Sequence, residues 1–391
     1  MFGRLCVVGV LVAGLVGSLP ALAEPLDGGP PSTVVGKTIR HTVQAGEDLW
    51  SLARKYTLSM DNIMLANGLP SLSVKTGDRL LIPTRWILPG TEQDGLIVNL
   101  PERTIYVFEG GELAVAYPCA VGQGGRFATP TGDFTVVNKQ EDPIWTPPSW
   151  SKIKKPIPPG PDNPLGDRWI GLSADGVGIH ATNDPMSIGA VTSHGCMRTY
   201  PWIVHELFDT VQIGWPVHIV YEPIKLGWSA EDRTWYMSVF PDIYHQVPDM
   251  GALARTQLDK AGLLPLVDDD LLKHLVEEQA GVPTPVAGSD VVIKLNNQRL
   301  DFTMAPLLRG GQVWASGEML RSCGLSVRYD PDHRSLSVMH DGDDVSMNAL
   351  EGRGQSFVPL SMVLSGLNVR YKWDAVHRTF LIFMKTQQAR G

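Results

Sequence analysis

Cysteine is scarce in this 391-residue chain, with only Cys6, Cys119, Cys196 and Cys323. No C-x-x-C pair and no H-E-x-x-H pattern occurs, so the metal sites those spacings build are not expected. Excess positive charge is also missing. The chain has 33 Lys and Arg against 41 Asp and Glu, a net charge of −8, which argues against nucleic acid and anionic membrane as partners. Long apolar runs are absent too. The one candidate, Cys6 to Val16, is shorter than the ~20 residues a spanning helix needs, so no stable membrane span is expected.

That short run has another reading. Arg4 precedes it, Pro20 follows, and Ala21-Leu22-Ala23 forms an A-x-A cleavage pattern before Glu24. Residues 1–23 are therefore expected to be a signal peptide and the protein to be secreted, in the cell wall or periplasm. Removing them leaves Cys119, Cys196 and Cys323, an odd number in an exported protein, so at least one thiol is free. Cys119 lies in an apolar strand-like run and Cys323 in a helix-like one, as core residues do. Cys196 does not.

Cys196 closes the run Ser193-His194-Gly195-Cys196, and His180 lies upstream at the end of the strand-like Gly178-Ile179-His180. A thiol becomes a good nucleophile when a histidine or a helix N-terminus favours its thiolate. His180 is far enough away in sequence to fold back opposite Cys196 as its base. His194 is too close for that and is expected to shape the loop or support an oxyanion. Gly195 lets backbone N–H groups approach a developing oxyanion. As zinc ligands, His180, His194 and Cys196 would lack the fourth ligand of a structural site. No metal or cofactor is expected.

Around this centre the chain divides into a linker at 24–39, a small unit at 40–84, a strand-rich region at 94–222, an extension and linker at 223–288 and a terminal block at 289–385. In the small unit, Asp48 and Ser59 are helix N-caps, Leu49, Leu52, Ala53 and Tyr56 form an inward stripe, and Asn67-Gly68 stops the second helix. In the strand-rich region Glu109-Gly110-Gly111 joins two strands as a hairpin. The stretch from Asp142 to Gly178 is rich in proline and holds Trp145, Trp150 and Trp169, so it reads as an ordered flap. Leu253 to Leu275 looks helical, "TWYMSVFPDIY" reads as a strand extending the region before it, and Gly281 to Gly288 reads as a linker. In the terminal block "GLSVRYDPDHRSLSV" recurs as "GLNVRYKWDAVHRTFLI", each after a helix-like segment, which signals a duplicated supersecondary unit.

Three resemblances follow from these residues. His41 to Pro83, "HTVQAGEDLWSLARKYTLSMDNIMLANGL…VKTGDRLLIP", resembles a LysM module of β-α-α-β order. That resemblance implies binding of N-acetylglucosamine-containing glycan through the turn holding Gly46, Glu47 and Asp48 and the loop holding Asn67, Gly68 and Leu69. Residues 94–222, with "ATPTGDFTV" and "GIHATNDPMSIGAVTSHGCMRTY", resemble an L,D-transpeptidase catalytic domain of the YkuD type, β-rich and with a flap. The resemblance implies that Cys196 attacks a peptidoglycan stem tetrapeptide, D-alanine leaves, and the acyl group passes to an amine of a neighbouring stem as a 3→3 crosslink. It makes His180 the general base, oriented by the main-chain carbonyl of Ala181, with Ser193, His194 and Gly195 lining the site. Arg198 either holds a stem carboxylate or pairs with an internal acid, and Trp145 and Trp150 of the flap are candidate substrate contacts. Carbapenem-type inhibitors are expected to acylate Cys196. The terminal block resembles the copper amine oxidase N-terminal-like, or stalk, domain, and His333, His340 and His377 are expected at surface turns without copper. The fold class expected is multidomain α+β. Two alternatives stay open: an L,D-carboxypeptidase using water as acceptor, and a non-catalytic wall-binding protein.

Overall fold

A computed structural model describes residues 32–90, 94–149 and 151–384. The expected signal peptide, the first half of the first linker and Trp150 lie outside the described residues. Among the described residues no helix is long and apolar enough to cross a membrane.

The small N-terminal unit forms for local reasons. Asp48 and Ser59 each make a capping box, with Ser51 and with Asn62, and start the helices Leu49–Tyr56 and Met60–Asn67. Gly68 ends the second helix at φ 58°, where a side chain would be strained. Strand Ile39–Thr42 pairs antiparallel with Arg79–Ile82. Leu49, Leu52, Ala53, Ile63 and Ile82 form its core, while Tyr56 is only half-buried and bonds His41 Nδ1 through its hydroxyl at 3.0 Å. The expected linker is partly structured. Val34–Gly36 pairs with Arg85–Ile87 on the far side of the unit.

The next region is an eight-stranded mixed sheet. Its order is Met197–Arg198, Gly178–His180, Arg168–Leu172, Gly132–Glu141, Pro216–Val220, Gly95–Asn99, Thr104–Glu109 and Glu112–Pro118. The Gly110-Gly111 turn, with φ of 63° and 80°, supplies the two left-handed residues that a tight hairpin needs. The sheet curls until its edges meet. Ala120, just past the last strand, exchanges both backbone hydrogen bonds with Arg198 of the first, at 2.8 and 3.0 Å. That closure lies two residues from Cys196. Cys119 is wholly buried beside it.

Several expectations need correction here. Arg168–Leu172 is an inner strand, paired on both sides, so the flap is confined to the residues before it. Within the flap Trp145 and Ile157 exchange backbone bonds, and the buried Asn163 amide donates to the Pro143 carbonyl at 2.7 Å and accepts from the Leu165 N–H. The strand Thr234–Val239 does not extend the catalytic sheet. It lies between Ile224–Ser229 and Thr284–Ala287 in a separate three-stranded sheet, so residues 281–288 are structure and not a spacer. The helical stretch is two helices, Met250–Lys260 and Asp269–Glu278.

One hydrophobic core joins this middle sheet and its helices to the C-terminal region, uniting Ile224, Met237, Leu258 and Leu272 with Phe357, Leu364 and Ile382. The C-terminal region contains two helix–hairpin units. Gly317–Ser322 precedes the hairpin of Ser326–Asp330 and Ser335–His340, and Leu360–Gly366 precedes that of Arg370–Asp374 and Thr379–Phe383.

Candidate active site

His180 ends its strand with its side chain buried against the sheet. Its Nδ1 lies 2.5 Å from the Ala181 carbonyl oxygen. A carbonyl only accepts, so Nδ1 carries the proton and Nε2 keeps its lone pair. Trp169, its register partner on the next strand, stacks on the ring at 5.8 Å and is held by its Nε1–H donating to Asn138 Oδ1 at 3.1 Å. The indole covers Gly178 so closely that a Cβ there would meet it at 2.6 Å. Burial, reinforced by the positive charge of Arg198, pulls the imidazole down to about 4, against the opposing pull of the Ala181 and Leu165 carbonyls. His180 is therefore a neutral base at any ordinary pH.

Cys196 lies in the turn between the strands Val191–Ser193 and Met197–Arg198. The latter runs parallel to Gly178–His180, with Met197 opposite Ile179 and Arg198 opposite His180. The thiol thus lies near Gly178, and its S–H donates to the Gly176 carbonyl at 3.3 Å. Burial pushes the thiol up, while the Gly178 backbone and Arg198 pull it down less strongly. The expected activation differs from this arrangement. No hydrogen bond joins Cys196 to His180 at rest, and the helix Pro201–Thr210 starts beyond the next strand, with Tyr200 at its N-cap. The resting pair is a neutral thiol and a neutral imidazole, so the proton must move as attack occurs.

Ser193 makes the turn rigid. Its hydroxyl donates to the Cys196 carbonyl at 2.5 Å and accepts the Gly195 N–H at 3.2 Å. Gly195 sits at φ 116°, where a side chain would be strained. Its N–H is occupied by the Ser193 hydroxyl. The Cys196 N–H donates to no group among the described residues and is the donor left available. His194 is exposed and meets the Phe127 ring edge-on at 4.6 Å, and the Arg126 guanidinium lies 4.6 Å over the Phe127 ring. This wall is held in place by strand Val121–Gly122 pairing with Val191–Ser193.

Arg198 is half-buried. Its Nε is buried without a hydrogen-bond partner, and no carboxylate lies within ion-pair distance among the described residues, although Asp184 acts on it from further away. Of the two roles expected for it, the internal ion pair is not formed. Ala181 is buried and contributes its carbonyl. Trp145 is half-buried in the flap. Sequence reasoning missed Trp169 as a cover for the base, the Leu165 carbonyl, and the Arg126 and Phe127 wall. None carries a local signal: Trp169 reaches the site through strand pairing, and Leu165, Arg126 and Phe127 come from turns distant in sequence. Among the described residues no group of three His, Cys, Asp or Glu could hold a metal ion.

In the N-terminal unit, Gly46 and Asp48 are exposed at the turn before the first helix, and Gly68 at the end of the second. Glu47 is committed to His41, Gln44 and Lys55, at 2.6, 2.9 and 3.1 Å, and its carboxyl is held at about 2, first by the Gln44 N–H and then by His41. The Asn67 side chain makes three internal bonds, to Ile63 and to both backbone groups of Leu81, so it ties helix to strand. Leu69 is half-buried, its N–H on Met64.

A partly exposed thiol on a rigid turn, a neutral buried imidazole on the adjacent parallel strand and an unoccupied N–H at the thiol residue define a cysteine-dependent acyl-transfer enzyme. A family model described as the L,D-transpeptidase catalytic domain matches residues 93–219, and a LysM domain model matches residues 41–83. The chain is 33% identical over 232 residues to the probable L,D-transpeptidase YcfS of Escherichia coli, covering 54% of this chain and 72% of that protein. It is 34% identical over 177 residues to the putative L,D-transpeptidase YkuD of Bacillus licheniformis, covering 45% of this chain and 95% of that one. The solved catalytic domain of the E. faecium L,D-transpeptidase is 28% identical, with a TM-score of 0.28, over 34% of this chain and all of that one. The chain belongs to the L,D-transpeptidase family.

Proposed function

We propose that this protein crosslinks peptidoglycan by acyl transfer through Cys196. His180 Nε2 takes the thiol proton as Sγ attacks the carbonyl carbon of the third residue of a stem tetrapeptide. The oxyanion that forms is met by the Cys196 N–H. The imidazolium returns the proton to the departing amine, and D-alanine leaves with its nitrogen protonated. An amine of a neighbouring stem then attacks the thioester, His180 removes its proton, and Sγ leaves, giving a 3→3 amide and the free thiol.

The observation that carries this reading is the state of His180. Its Nδ1–H on the Ala181 carbonyl fixes the tautomer, so the second nitrogen is free to act. The Leu165 carbonyl facing the ring favours the imidazolium once the proton arrives. The unpaired Arg198 guanidinium is suited to a stem carboxylate. The flap, with Trp145, closes over the stem and limits water, which disfavours hydrolysis. The exposed turns at Gly46 to Asp48 and Gly68 to Leu69 contact N-acetylglucosamine-containing glycan mainly through backbone groups, since the Glu47 and Asn67 side chains are engaged internally. Residues 1–23 act as a secretion signal, and the enzyme works outside the cytoplasm.

The C-terminal helix–hairpin units form a duplicated stalk-type domain. The two hairpin turns support this by repeating bond for bond. Asp330 and Asp374 each accept backbone N–H groups on Oδ1 and the ring of His333 or His377 on Oδ2, at 2.9 and 2.8 Å. These histidines are exposed at turns.

The test is incubation with disaccharide-tetrapeptide and mass spectrometry of the products. Dimers lacking one D-alanine are expected from the wild-type protein and none from Cys196→Ser. Tripeptides without dimers would establish hydrolysis instead.

A further inference from the structure

Trp50 belongs to two cores at once. It packs on the core of the LysM unit and on that of the catalytic sheet. Its indole meets Tyr200 edge-on at 5.4 Å and Trp202 at 6.0 Å, while those two rings stack on each other at 4.5 Å, 8° from parallel. Arg54, one helical turn further on, places its guanidinium 5.0 Å over Trp202. Tyr200 is the fourth residue after Cys196, and the N–H of the residue before it, Thr199, donates to the His180 carbonyl at 3.0 Å. Trp50 therefore bears on the point where the cysteine segment and the histidine strand are joined.

A second contact reaches the loop between the two catalytic groups. Gly189, at φ 96°, passes so close under the N-cap of the second LysM helix that a Cβ would lie 2.5 Å from Ser59 Oγ. The Gly189 N–H donates to the Cys119 carbonyl, next to the sheet closure at Ala120 and Arg198. The segment after Cys196 and the loop between the two catalytic groups are thus both in contact with the glycan-binding unit, and neither contact uses its exposed turns at Gly46 or Gly68.

We propose that the LysM unit is a brace for the catalytic centre, with Trp50 a positioning residue that holds Tyr200 and, through it, Cys196 in register with His180. This rests on the reading of Cys196 and His180 as nucleophile and base. It gives the unit two separable duties: gripping glycan with its turns and setting catalytic geometry with the Trp50 and Arg54 side chains of its first helix. Small displacements of reacting groups are costly, up to about a hundredfold in rate for 1 Å.

The experiment uses the full chain and soluble disaccharide-tetrapeptide. Trp50→Ala is expected to lower kcat for D-alanine release by about tenfold with KM changed less than about twofold. Trp50→Phe, which keeps an aromatic edge against Tyr200, is expected to restore most of it. Histidine-ring NMR supplies a readout without substrate: His180 stays neutral down to about 4 in the wild-type protein and is expected to titrate closer to the ordinary ~6.5 in Trp50→Ala as its surroundings loosen. Arg54→Ala, at the exposed rim of the same contact, serves where Trp50→Ala does not fold and should lower kcat by about threefold. A folded Trp50→Ala with unchanged kcat and unchanged His180 titration overturns the brace, as does an unfolded one accompanied by an unaltered Arg54→Ala. Wild-type protein that releases no D-alanine, while His180 still moves in Trp50→Ala, removes the peptidoglycan reading and leaves the brace standing.

Discussion

His180 and Cys196 are both uncharged at rest, and that sets the pH dependence. The base loses function only when protonated, near about 4, and burial moves the thiol upward. We expect kcat/KM to be flat from about pH 5 to 8, with its acid limb near 4. A half-maximal rate near the ordinary imidazole value of ~6.5 would contradict this. Stability follows the same group. The unfolded imidazole takes its proton near 6.5 and the folded one near 4, so falling pH favours the unfolded chain across that window. The contribution is complete above about 6.5 and amounts to roughly 3 kcal/mol. The cysteine and histidine were legible in sequence because the motif is local. Trp169 was not, because strand register brings it in, nor were Phe127 and the Leu165 carbonyl, which come from turns distant in sequence.

Among the elements, the helices of the LysM unit were readable for the same reason that they form. Asp48 and Ser59 cap through residues three positions away, and such signals survive in sequence. Arg168–Leu172 was hidden because its neighbours are prolines and tryptophans without alternation, and its identity as a strand comes from pairing on both sides. Val34–Gly36 is only three residues long, and its central Val35 finds its partner 51 positions away, at Trp86. One seam joins several elements. Lys225, 3% exposed, contacts Glu102 at 2.6 Å, the Tyr106 hydroxyl at 2.9 Å and the Ile87 carbonyl at 2.5 Å. Lys225→Met leaves the Glu102 carboxylate buried without its cation and should cost about 3–5 kcal/mol. The double variant with Glu102→Gln should recover much of that in a denaturant titration. An unchanged midpoint in Lys225→Met would show that the seam contributes nothing.

Across the whole molecule, the chain order of modules was legible but their partition of the core was not. The middle residues share a core with the C-terminal hairpins rather than with the catalytic sheet, a pairing of distant apolar faces that no local pattern announces. The central claim is that Cys196 forms the acyl-enzyme. It is tested most directly by mixing the protein with disaccharide-tetrapeptide, quenching in acid and measuring the intact mass. The account predicts an increase equal to the substrate less one D-alanine, mapped by peptide analysis to Cys196 and absent in Cys196→Ser. The same adduct on another residue, or its persistence in Cys196→Ser, would contradict it.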